Sequence, residues 1–302
     1  MSGKAPVDFD TMWDDSLKSG DSARERLSEL KGIAASMAAE GKAYHALERT
    51  LETLGPGDSR CSVIRAIFQA SSDLESLEKC YARLDYDDEK NFATQGLSEK
   101  LTFLSSPDKI DFNKFKYLGD RFDKVVSTTV STYIIQHSLT GRIETSDAFK
   151  NSINVGMSKD AEKAVISDVT TIVPFSCWDH IVEKGIDRLN VDHNRIVTEM
   201  VRIDPQKAIE RISSEPKVSG SFSGAFTEWM KNDSSKPIEW INSNSRKLSP
   251  EQRDRAYQGI ANYAVQQGDL AAAKQWAGMI TDERVKDELS KESWYVEASS
   301  DN

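Results

Sequence analysis

Three ten-residue segments in the C-terminal half align without a gap, and that repetition constrains the fold more than any other feature. They run Ile203-Asp204-Pro205-Gln206-Lys207-Ala208-Ile209-Glu210-Arg211-Ile212, Asn232-Asp233-Ser234-Ser235-Lys236-Pro237-Ile238-Glu239-Trp240-Ile241 and Gly268-Asp269-Leu270-Ala271-Ala272-Ala273-Lys274-Gln275-Trp276-Ala277. The first two share Asp, Lys, Ile-Glu and Ile at matching offsets, and the last two share Asp233/Asp269 and Trp240/Trp276. Upstream, Thr198-Glu199 matches Thr227-Glu228 in the same register. Nearer the N-terminus, Gly32-Ile33-Ala34 followed by Gly41 repeats Gly259-Ile260-Ala261 followed by Gly268, and Ser72-Asp73-Leu74 echoes Gly268-Asp269-Leu270. The steps from 204 to 233 and from 233 to 269 are 29 and 36 residues. Such periods mark a stack of small units, each burying its apolar face only against its neighbours.

The residues also say what one unit is. Leu27–Leu30–Ile33–Met37 and Ile260–Tyr263–Ala264–Gln267 carry the i, i+3, i+4, i+7 stripe of an amphipathic helix, and strand signals are scarce. The recurrent aspartates at 73, 204, 233 and 269 fall where one helix ends and the next begins, so their carboxylates are expected to cap the second helix. Pro205 suits the first helical position, Pro237 moves the helix after Asp233 to a start near Ser235, and Gly41 and Gly268 supply left-handed stops. Acid–arginine pairs (Asp21/Arg24, Asp58/Arg60, Asp192/Arg195, Glu251/Arg253, Asp282/Arg284) open the first helices, where the arginine can bridge to the next layer. The sequence thus predicts an all-α, right-handed α-solenoid of eight hairpins near 22–54, 58–84, 87–118, 119–155, 158–190, 192–215, 220–244 and 249–280. A capping helix is expected from Asp282 to Ser299, and residues 1–20 are expected to be a flexible lead segment. Residues 21–299 then form one domain, softest at 213–224, and the repeat is weakest over 100–175.

Composition narrows the partners. The chain has 302 residues with 38% hydrophobic content, low for one compact body of that length but suited to stacked layers with much exposed surface. Its net charge of −10 argues against nucleic acid or an anionic membrane as partner. No stretch approaches 18 apolar residues, so no membrane insertion is expected. As written the chain reads as cytoplasmic; a leader removed ahead of Met1 would make it periplasmic or secreted. Cys61, Cys80 and Cys177 form neither a disulfide framework nor a zinc pattern and read as core fillers.

The segments Ala225–Trp240 and Ala261–Trp276, with their Asp233/Asp269 and Trp240/Trp276 pairs, resemble bacterial α-helical-repeat proteins of tetratricopeptide- and HEAT-like type. These are known from verrucomicrobia and carry degenerate Trp-x-x-x-Asp-Pro-x-x-Ala-x-x-Trp units. The likeness is best over 190–285 and implies the fold alone.

Catalytic motifs are missing. Asp179-His180 and Asp192-His193 lack a second ligand pair, Ser76-x-x-Lys79 lacks its companion motifs, and Gly220–Gly224 centres on Phe222 where a nucleophile elbow needs Ser. No Gly-rich phosphate loop is present, and Asp85–Glu89 lacks the spacing of a calcium loop. No catalytic, metal or cofactor residue is therefore nominated, and the chain is read as a non-enzymatic scaffold that binds protein or peptide along its concave face, expected on the second helices. Trp13 and Trp294, in the terminal segments, and Trp178 and His180 are the candidate partner contacts. Two rival readings stay open: an enzyme or ligand-binding regulator with a site in 100–190, and a structural protein that assembles through its ends.

Overall fold

The computed structural model describes residues 7–140, 145–153, 155–289 and 291, and every regular element among them is helical. The chain divides into two compact units, Met1–Val165 and Ile166–Asn302. The first holds α1 (Phe9–Lys18), α2 (Ala23–Ala39), α3 (Ala43–Thr53), α4 (Asp58–Ala70), α5 (Ser76–Ala82), α6 (Asp87–Leu104), α7 (Phe122–Thr140) and α8 (Thr145–Ser152). The boundary falls inside α9 (Lys159–Val169). The second holds α10 (Pro174–Lys184), α11 (His193–Ile203), α12 (Pro205–Ser213), α13 (Ser221–Asn232), α14 (Lys236–Asn244), α15 (Pro250–Gln266), α16 (Leu270–Ala277) and α17 (Glu283–Leu289).

The local signals act as their chemistry requires. Asp204 accepts from Lys207 N at 3.1 Å, Asp269 from Ala272 N at 2.9 Å, and Asp192 from Arg195 N at 3.1 Å. Asp233 accepts from both Ser235 N and Lys236 N, so its helix starts late, after Ser235, where Pro237 tolerates it. Gly41 and Gly268 adopt φ of 79° and 77°, a region closed to most side chains. Each is flanked by the same closure: Lys42 N reaches Met37 O and Asp269 N reaches Ala264 O, both at 2.9 Å.

Packing follows an alternating rule within each unit. In the first, α2 packs on α4, α4 on α6 and α6 on α7, skipping the helix between. In the second, α11 packs on α13, α13 on α15 and α15 on α17. Two glycines set the closest approaches. A Cβ added to Gly96 would sit 2.3 Å from Arg65 O, and one on Gly259 would sit 2.3 Å from Ser223 O. Backbone therefore meets backbone where α4 crosses α6 and where α13 crosses α15. Of the acid–arginine pairs, Arg60 reaches the neighbouring helix, its guanidinium contacting Glu89 of α6, while Arg253 donates to Thr281 Oγ1 at 3.4 Å in the connection before α17. At the far end, buried Asp254 accepts from Thr281 N, Thr281 Oγ1 and Asp282 N, and so fixes the entry to α17.

Two features differ from the sequence expectation. The lead segment is not loose throughout: Asp8 caps α1, and Phe9, Trp13 and Ser16 form its one buried face, with Trp13 fully enclosed. After α6 there is no second α-helix. Residues Phe112–Arg121 form 3-10 turns broken at Gly119, whose φ of 61° with ψ of −124° interrupts the helical path. Within 213–224, α12 ends at Ser213, a short 3-10 turn spans Pro216–Val218 and α13 starts at Ser221. The expected terminal helix runs as far as Leu289, and its continuation with Trp294 lies outside the described residues.

Candidate functional site

The nominated contact residues are packing residues where they are described. Trp13 has no exposed surface, and its indole N–H donates to Thr53 Oγ1 at 3.3 Å. Trp178 and His180, on α10 in the other unit, are 2% and 6% exposed. Asp179 beside them is turned to Arg211, 3.3 Å away. A partner cannot reach Trp13 or Trp178 without opening the core. Trp240 meets Phe226 at a tilt and Trp229 edge-on, both on the preceding helix (ring centroids 5.9 and 6.3 Å), and Trp276 meets Tyr257 at a tilt (5.8 Å), so both pin helix pairs together.

The other three histidines also make contacts within the fold. His193 Nε2 lies 3.0 Å from Ile186 O, His45 lies 3.0 Å from Asp10, and the His137 ring rests 4.2 Å from that of Tyr133. All three cysteines are free and buried. Burial pushes the Cys80 and Cys177 thiols up to about 12, far from the reactive range. Among the described residues no group of three His, Cys, Asp or Glu could hold a metal ion.

Two hollows stand out. One, of about 610 Å³ in the first unit, is walled by acids and lysines together: Asp73, Glu75, Glu78, Lys79 and Lys114 over Leu74 and Tyr117. Lys114 and Tyr117 fall in the 100–190 segment, but the Tyr117 hydroxyl has no solvent-exposed surface and so offers nothing to the cavity.

The other is a groove of about 490 Å³ crossing three successive helices of the second unit, α11, α13 and α15. Thr198 contributes from α11, Ser223, Gly224 and Thr227 from α13, and Asn262, Val265 and Gln266 from α15. Its floor is rigid: Gly259 lets α15 lie on the α13 backbone, and Thr227 Oγ1 donates at the seam, 2.9 Å from Ser223 O and 3.0 Å from Gly259 O. The one acid on its rim is neutralised locally. Glu228 is held by Arg202 at 3.1 Å and Lys231 at 3.0 Å. Burial pushes the Glu228 carboxyl up, but hydrogen bonds from Lys231 and Arg202 outweigh it and hold it below its usual range.

No family model matches the chain, and neither a curated protein nor a solved structure matches it.

Sequence reasoning passed over this groove. Its components are ordinary Thr, Asn and Gln on helices whose other faces carry the apolar stripe. Gly224, in the first turn of α13, gave no signal that separates it from the soft stretch before that helix.

Proposed function

We propose that the chain is a non-enzymatic helical-repeat protein, an α-solenoid that binds a polypeptide segment along its first helices. Eight hairpins are read as α2–α3, α4–α5, α6 with the 3-10 segment Phe112–Arg121, α7–α8, α9–α10, α11–α12, α13–α14 and α15–α16, with α17 closing the series. The support is a recurring sequence separation between side chains in contact. Arg49 and Asp14, Arg83 and Glu48, and Ser158 and Asp123 are each 35 residues apart, Arg65 and Glu99 are 34 apart, and Arg255 and Glu288 are 33 apart. A regular stack places equivalent positions of adjacent layers in contact at such intervals.

First helices touch backbone to backbone at Gly96 and Gly259, whereas second helices are joined by long side chains such as Arg83 to Glu48, which favours the first helices as the binding face.

The observation that carries the function is the neutral, rigid groove over α11, α13 and α15, free of paired catalytic groups and open across three layers. The test is an array of 15-residue peptides of varied charge and helical propensity, probed with the full chain and with Gln266→Trp, which fills the groove. Peptides that bind the chain and are lost with Gln266→Trp are expected. No such peptide in any class would sink the reading.

A further inference from the structure

We draw no further inference here: the strongest candidate, the hollow lined by the start of α5 and the 3-10 segment Phe112–Arg121, with Asp73, Glu75, Glu78, Lys79 and Lys114 on its walls, carries nothing because those five side chains are exposed charges of both signs and nothing in the structure shows what would fill the space between them.

Discussion

The Arg60 guanidinium lies 2.7 Å from Glu89 Oε1, joining α4 to α6 where the two side chains are only 10% and 1% exposed. Tyr86 covers the pair, its ring centroid 5.8 Å from the guanidinium carbon. Two opposite charges enclosed this way sustain one another, and neither tolerates being left alone. Glu89→Ala and Arg60→Ala should each lower unfolding stability by about 3–5 kcal/mol. The double replacement Arg60→Met with Glu89→Leu should recover most of that loss. Urea denaturation of the four proteins checks both statements; a double variant as unstable as the worse single one would show that the pair has no mutual dependence.

One substitution made at four glycines should change sign with position. Gly96→Ala and Gly259→Ala drive a methyl to 2.3 Å from a carbonyl oxygen and should destabilise by about 2 kcal/mol. Gly32→Ala and Gly224→Ala place the methyl in open space and should stabilise by about 1 kcal/mol through helix propensity. Chemical denaturation separates the two classes, and a uniform sign across all four would contradict the close helix crossings.

Tyr117 offers a stabilising change. Its hydroxyl is buried and, among the described residues, has no hydrogen-bond partner, while its ring sits edge-on to Tyr81 with centroids 5.8 Å apart. Burial also holds its ionisation well above the ordinary phenol range. Tyr117→Phe keeps the ring contact and removes the unsatisfied oxygen, so stability should rise by about 1 kcal/mol. A fall in Tm would show that the hydroxyl is paired after all.

The thiols fix the alkaline limit. Cys80 and Cys177 ionise near 12 in the folded protein because they are buried, against 9.0 for a free thiol. Between those values the folded state holds protons that the unfolded state has released, so stability must fall as pH rises. With both groups titrating, the slope approaches about 2.7 kcal/mol per pH unit between pH 9 and 12. Below pH 9 the two contribute none. Denaturation midpoints from pH 8 to 11 should show this fall, and it should be much reduced in a Cys80→Ala, Cys177→Ala variant.

The caps at Asp204 and Asp269, the Gly41 and Gly268 stops and the late helix start after Asp233 were legible in the sequence because each is settled within a few residues; Asp73 departs from the pattern, accepting from Glu75 N ahead of α5 and leaving that helix without a side-chain cap. A carboxylate reaching an N–H three positions ahead needs no distant partner. Repetition of those local units at intervals of 29 to 36 then identified an all-helical chain. Tertiary structure decided the rest. Gly32 and Gly259 sit in the same Gly-Ile-Ala triplet, yet only Gly259 is pressed against another backbone. From sequence Trp13 could either cover the end of the helical series or meet a partner; it is fully buried, with α2 and α3 supplying its surroundings. Asn262 and Gln266 became a groove only when α13 came to rest against α15. These outcomes depend on which residues about 34 positions apart are brought together, and no local pattern records that distance.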